Sequence, residues 1–307
     1  MPSPIELQTH KSVKRGIPAF RRDTFWAWGM LSPTLAGLLL FLWGPLLYAV
    51  ALGFYQWDIL TPKVFVGAEN YLKLFRDPMF YHSLKITCYY VLLFVPSTVA
   101  VSLVLAVLLN KIRFAVFFRT LFFMPSVSMT VATSLVWLLI YNPQYGLINS
   151  MLDLFGLQKP GWIYDPQLVV PSIALMALWS GSGYNAIFYL AALQNIPRDV
   201  YEAAEIDGAT SWRKLWYITV PLVSPTTFFL LIVNLIGSFQ AFDTFYVMTK
   251  GGPGDSSTTL LYYIYENAFR SYNIGYASSL STVLFLVIIL ITIVQFQLQK
   301  KWVFYER

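Results

Sequence analysis

Six stretches of this chain, residues 25–54, 84–110, 118–141, 168–193, 222–248 and 276–298, are apolar over at least the roughly 20 residues that a helix needs to cross about 30 Å of hydrocarbon. Hydrocarbon offers no water to pair with backbone N–H and C=O groups, so each stretch must satisfy its own, which a helix does. An all-α membrane protein with six transmembrane helices is the expected fold class. The composition agrees, because 57% hydrophobic and 12% charged residues cannot dress a water-facing surface. Pro96 in the second stretch and Pro125 in the third predict kinks.

The net charge of +6 follows topology and forms no nucleic-acid-binding face. With both termini and every second loop in the cytoplasm, Lys11, Lys14, Arg15, Arg21, Arg22, Lys111, Arg113, Arg119, Arg198, Arg213, Lys214, Lys300, Lys301 and Arg307 fall inside, fourteen of the 21 basic residues. The expected divisions are a basic tail at 1–24, the first helix and an outer loop at 25–83, a five-helix transmembrane domain at 84–298 and a cytoplasmic tail at 299–307. The first stretch is longer than the roughly 7 to 15 apolar residues of a signal peptide and lacks a small-residue cleavage site, so it is read as an uncleaved span. A short surface helix is expected around Tyr71, Leu72, Leu74 and Phe75 after Gly67, and Phe114, Phe117 and Phe118 are expected at the membrane interface.

No catalytic constellation is visible. Cys88 is the single cysteine, and His10 and His82 are the only histidines, so neither a disulfide nor a Cys/His metal site can be assembled, and no cofactor is implied. The segment KGGPGDSST lacks the G-K-[ST] ending of a nucleotide-binding loop and is read as a turn-rich outer loop. Tyr262, Tyr263 and Tyr265 are read as rim anchors.

The loop at about 195–221, QNIPRDVYEAAEIDGATSWRKLWYITVPL, is long, charged and helically patterned. Pro197 suits a first turn, Asp199, Glu202 and Glu205 suit its positive end, and Gly208 suits a left-handed stop, which predicts a helix over 198–207. Ser211 is the expected cap of a second helix, with Trp212, Leu215 and Trp216 on its apolar side, Arg213 and Lys214 wet, and Pro221 ending it.

EAAEIDGA followed by I-T-V-P-L resembles the EAA loop of binding-protein-dependent ABC importer permeases. ENY at 69–71, FRTLFFMPS at 118–126, FQAFDTFYVMTKGGP at 239–253 and IGYASSLS at 274–281 extend the resemblance toward the carbohydrate branch. Lys250 departs from the small or glycine residue expected before GGP. The resemblance implies a MetI-like, type I importer fold in a bacterial inner membrane, with Glu202, Ala203, Ala204, Asp207, Gly208, Ile218 and Pro221 forming a coupling element. It also implies a second homologous permease, two cytoplasmic ATPase subunits, an extracytoplasmic solute-binding protein, and ATP hydrolysis by a partner subunit. The candidate solute is an oligosaccharide, a monosaccharide, a polyol glycoside or glycerol phosphate.

For the solute pathway, Asn234, Ser238, Gln240 and Asp243 form a polar stripe in the fifth stretch, with Asp243 inside the span. WSGSGYN in the fourth offers Trp179 and Tyr184 for stacking and Ser182 and Asn185 for hydrogen bonds, while Ser180, Gly181, Ser182 and Gly183 equally suit close helix packing. An ion-gradient-driven secondary transporter is the alternative, which Asp243 favours and the charged loop does not.

Overall fold

The computed structural model describes residues 18–110, 112 and 114–304. His10, Lys11, Lys14, Arg15, Lys111, Arg113 and Arg307, named above, lie outside them. The chain forms two units, the first ending at Ala51. That first unit is helical throughout its described part: α1 (Pro18–Leu38) passes through a π-helical turn at Leu39–Trp43 into α2 (Gly44–Leu52). Trp26, Met30, Phe41 and Leu47 are exposed along it, an apolar surface all round that suits a helix in lipid.

The second unit opens with two-residue antiparallel strands, β1 (Tyr55–Gln56) and β2 (Val64–Phe65), and the short α3 (Glu69–Leu74), which follows Gly67 at φ +60°. Then comes α4 (Pro78–Leu109), whose 32 residues carry Pro96 without a break. Past it, α5 (Ala115–Val127) and α6 (Thr130–Ile140) meet at 98°, because Ser128 and Met129 adopt extended backbone three residues beyond Pro125. α7 (Leu147–Leu154) lies in the next connection, and α8 (Val169–Asn195) leads to the hairpin of α9 (Arg198–Ile206) and α10 (Ser211–Lys214). The second arm continues through a π-helical turn at Leu215–Thr219 and α11 (Val220–Leu222), then bends 66° into α12 (Ser224–Phe239). α13 (Asp243–Met248), α14 (Leu260–Tyr265) and α15 (Ile274–Trp302) complete the chain.

Among the described residues, Trp26–Leu52, Pro78–Leu109 and Ile274–Trp302 are each long and apolar enough to span alone, and the two bent pairs raise the count to five. The remaining expected crossing, the fourth stretch, is α8, which has 27 residues, but its Ser-Gly-Ser-Gly-Tyr-Asn run dilutes its apolar character. The fifth expected stretch is corrected: 222–248 is not one helix, since α12 ends at Phe239 and α13 restarts at Asp243. The break turns the Phe242 ring onto Tyr246 and Tyr265, with centroids 5.3 and 4.9 Å away.

α4 contributes to all three apolar clusters: Tyr90 joins Trp137, Ile173 and Phe245; Val91 and Val95 join Leu260, Tyr276 and Leu280; Val99 and Ala106 join Tyr189, Leu193 and Leu230. Small residues bring α4 and α8 together, and Ser102 Oγ donates to the Ser182 carbonyl at 2.9 Å. At the end remote from the hairpin, Asp77 caps α4 by accepting from Met79 N at 2.8 Å and also accepts from the hydroxyls of Tyr263 and Tyr276. Burial would raise its pKa, but these bonds outweigh burial and hold it below the usual carboxylate value.

Gly183 and Gly181 differ in what surrounds them. A Cβ at Gly183 would lie 1.8 Å from the Phe122 carbonyl oxygen, whereas one at Gly181 would sit 3.6 Å from the Phe94 ring. Gly183→Ala is therefore expected to push α8 from α5 and cost about 1–3 kcal/mol, while Gly181→Ala stays near neutral. The apparent Tm of the two purified variants checks this.

Candidate functional site

The hairpin is built from its glycine. Gly208 sits at φ +73°, its N–H bonds to the Glu205 carbonyl at 3.0 Å, and the Ala209 N–H bonds to the Ala204 carbonyl at 2.9 Å. Those paired bonds close the last turn of α9 around a left-handed residue that glycine adopts without a Cβ penalty. Glu202, Ala203 and Asp207 are exposed, Ala204 is half-buried, and Ile218 and Pro221 are half-buried on the second arm. Val200, Ala203 and Ile206 repeat at three-residue spacing as an exposed apolar stripe on α9.

Four sequence expectations for this hairpin are corrected. The cap of α10 is Thr210, whose hydroxyl accepts from Arg213 N, rather than Ser211. Pro221 sits inside α11 and the chain bends at Val223 instead. Lys214 is not wet: its Nζ lies 2.6 Å from Glu205 Oε1, and the Tyr201 and Thr219 hydroxyls share a hydrogen bond at 3.0 Å, so both arms are joined twice. Trp212 and Trp216, expected on an apolar side, are exposed and pair edge-to-face. The Lys214 hydrogen bond and charge hold the Glu205 pKa below its ordinary value.

The proposed pathway residues separate into three groups. Asn185 and Asn234 exchange amide hydrogen bonds between α8 and α12 at 3.1 and 3.3 Å, and Ser238 donates to the Asn234 carbonyl. Ser182 is buried against α4. Gln240 and Asp243 are exposed at the break between α12 and α13, so Asp243 begins a new helix and is not an acid inside a continuous span. Trp179 and Tyr184 are exposed on the side of α8 that faces the α5–α6 bend.

That bend creates what sequence reasoning missed. A cavity of about 340 Å³ lies between the bend and α8, lined by Ser126, Ser128, Thr130, Thr133, Ser180 and Tyr184. A neighbouring cavity of about 550 Å³ shares Ser128 and Thr133 and is otherwise apolar, with Trp137 and Trp179 paired at 5.6 Å. No charged side chain lines either one. The clue in the sequence was the run of hydroxyls just after Pro125 in an otherwise apolar stretch; what hid it was the 98° bend.

Other expectations resolve plainly. Tyr262 and Tyr263 are not rim anchors, since Tyr262 is buried and donates to the Lys250 carbonyl while Tyr263 donates to Asp77. Lys250 adopts φ +50°, a conformation glycine enters more readily, which gives a physical reason to expect a small residue there. Among the described residues no group of three His, Cys, Asp or Glu side chains could hold a metal.

Long apolar helices around a polar cavity, with a charged hairpin at one end, describe a membrane transport component. Comparison identifies which. Residues 87–303 match the binding-protein-dependent transport system inner membrane component family. The lactose transport system permease protein LacF of Rhizobium radiobacter is 36% identical over 88% of this chain and 92% of its own. The sn-glycerol-3-phosphate transport system permease protein UgpA of Brucella abortus is 33% identical over 90% and 95%. A chain of a bacterial alginate ABC transporter, solved in complex with an alginate pentasaccharide-bound periplasmic protein, shares the fold with a TM-score of 0.81 at 22% identity, covering 93% of this chain and 97% of that one. This chain belongs to the binding-protein-dependent transport system inner membrane components: it is a multi-pass permease subunit and not an enzyme.

Two outcomes test the geometry. Asn185→Leu alone is expected to cost about 1–3 kcal/mol by stranding half the Asn234 amide, and adding Asn234→Leu should recover part of that loss in thermal unfolding. Because the folded-state pKa of Glu205 is depressed, its pairing with Lys214 stabilises the hairpin above the ordinary carboxylate value and is lost as pH falls through the lower, folded-state value. Protection factors of the α9 and α10 amides, with each exchange rate divided by its intrinsic rate at the same pH, should fall as pH drops below the ordinary carboxylate value, less steeply in Lys214→Gln.

Proposed function

We propose that this permease carries a neutral carbohydrate through an ATP-driven importer. The observation that carries the reading is the pair of adjoining cavities at the α5–α6 bend, one lined by hydroxyls and the other by an aromatic pair, with no cation in either. Hydroxyls at Ser126, Ser128, Thr130 and Thr133 suit a solute rich in hydroxyls, and Trp137 and Trp179 suit the apolar face of a sugar ring. A glycerol phosphate would call for Arg or Lys at the site, so the relative LacF is the better guide to substrate class than UgpA.

The α9–α10 hairpin is the part that docks on an ATPase. Its exposed Val200, Ala203 and Ile206 stripe suits an apolar cleft and Glu202 suits a cationic rim, while the Lys214–Glu205 and Tyr201–Thr219 contacts make it stiff enough to transmit movement. In this reading two ATPase subunits, a second homologous permease and an extracytoplasmic binding protein complete the importer. The hairpin and both termini face the cytoplasm, and the cavity opens alternately to either side. The basic tail at 1–24, the helix and loop at 25–83 and the domain at 84–298 keep the divisions stated above. Among the pathway residues, Trp179 and Tyr184 would meet solute directly, whereas Ser182, Asn185, Asn234 and Ser238 hold helices together, and Gln240 and Asp243 stand at the mouth.

Affinity purification from native membrane tests the assembly: tagged wild type should retain an ATPase and a second permease, and Glu202→Lys and Gly208→Pro should shed the ATPase. Thr133→Trp, which fills the cavity, should abolish sugar uptake without shedding the ATPase. Solute movement that persists after ATP depletion would sink the reading in favour of a gradient-driven transporter.

A further inference from the structure

A second groove lies between α5 and α8 near the hairpin end, about 290 Å³ in volume and lined by Arg119, Thr120 and Phe123 of α5 and Ile187, Leu190, Ala191 and Gln194 of α8. Arg119 sits in the second turn of α5, and its Nε is buried with no hydrogen-bond partner. The ion pairs among the described residues use other groups, and neither α5 nor α8 contains a single Asp or Glu. That N–H is closed off inside the protein, but Arg119 as a whole is half-buried and lines the groove; a guanidinium near hydrocarbon with no acid to neutralise it is costly, and an anion in the groove neutralises it.

The groove is polar only at one end. Arg119, Thr120 and the Gln194 amide lie nearest the ends of their helices, while Phe123, Ile187 and Leu190 carry the groove toward the middle of the membrane as an apolar channel. Phe114 and Phe117, at the start of α5, are exposed beside this level, as aromatic residues at a headgroup layer are. From this polarity we propose that the groove is a binding site for an anionic phospholipid, with Arg119 and Gln194 holding the headgroup phosphate and the apolar channel holding the first part of an acyl chain. Basic pockets between transmembrane helices recognise lipid headgroups by this combination of charge and depth. A free phosphate ion satisfies Arg119 equally but leaves the apolar channel unfilled. The site is separate from the α5–α6 bend and does not depend on which solute is carried.

The test uses the full chain with its co-purifying subunits, exchanged into nanodiscs of phosphatidylcholine with or without phosphatidylglycerol, and reads retained lipid by native mass spectrometry. Wild type is expected to retain phosphatidylglycerol over phosphatidylcholine and to gain apparent Tm from it. Arg119→Gln should weaken retention about tenfold or more, the scale of one charge-assisted contact. Arg119→Lys should keep part of it. Ala191→Trp, at an exposed position, should block the groove with Arg119 intact, so loss in both variants does not reduce to misfolding at the arginine. Equal retention in wild type, Arg119→Gln and Ala191→Trp would overturn the proposal. So would equal retention of the two lipids, or stabilisation by inorganic phosphate alone that matches phosphatidylglycerol. Photo-crosslinking from position 191 is expected to capture lipid; capture of the partner permease instead would mean that a protein surface covers the groove, and would overturn it too.

Discussion

The close approach of α4 and α8 is the constraint on which the second unit depends. Lipid is as apolar as leucine, so helices in a membrane gain little from burying apolar faces and must instead fit closely and exchange hydrogen bonds. Here the fit is made by Ala106 and Ala186, by Ser102 reaching the Ser182 carbonyl, and by Gly183, which admits the α5 backbone on the other side of α8. α4 then serves as the common wall for three apolar clusters, and every later helix of the unit is positioned against it or against something it holds.

Hydroxyls in this chain divide into two kinds. Ser134, Ser281, Thr282 and Thr292 each donate to the carbonyl four residues earlier in their own helix, which satisfies them but fixes nothing else. A second set crosses between elements, beside the Asn185–Asn234 amide pair: Thr87 with Leu260 N–H, Tyr189 with Thr227, Tyr141 with the Ser172 carbonyl, and Tyr263 and Tyr276 with Asp77. These crossings specify which helix faces which, a choice that apolar contact in lipid leaves nearly degenerate.

Apolar length and hairpin chemistry were legible in the chain because both are local. Gly208 predicts its left-handed stop from its own lack of a Cβ, and the structure places it at φ +73°. The interruptions were not legible. Pro96 and Pro125 look alike in sequence, yet α4 runs through Pro96 while the chain turns by 98° shortly after Pro125. A proline alone therefore does not predict the bend. Lys214 is no more legible, because its partner lies nine residues back across an elbow. Nor is Asp243, which reads as an intramembrane acid only if α12 continues, and α12 stops at Phe239.

The hairpin and the cavity are joined through α8, which leads into one and walls the other, so the coupling proposed above has a continuous covalent and packed route. α8 enters the hairpin at Ile196 and α12 receives its second arm at Ser224, so displacement of the hairpin acts on both helices at their ends. Those helices are tied again by the Tyr189–Thr227 bond in the first turn of α12 and by the Asn185–Asn234 pair further along, which resist their sliding past each other. α5 packs tightly on α8, because at Gly183 the two backbones approach within the reach of a single methyl group. The hydroxyl-lined cavity has α8 as one wall and the α5–α6 bend as the other. In the proposed cycle, a shift of α5 with α8 is most easily absorbed at Ser128 and Met129, the extended residues of the bend, where the regular bonding of α5 ends and that of α6 begins.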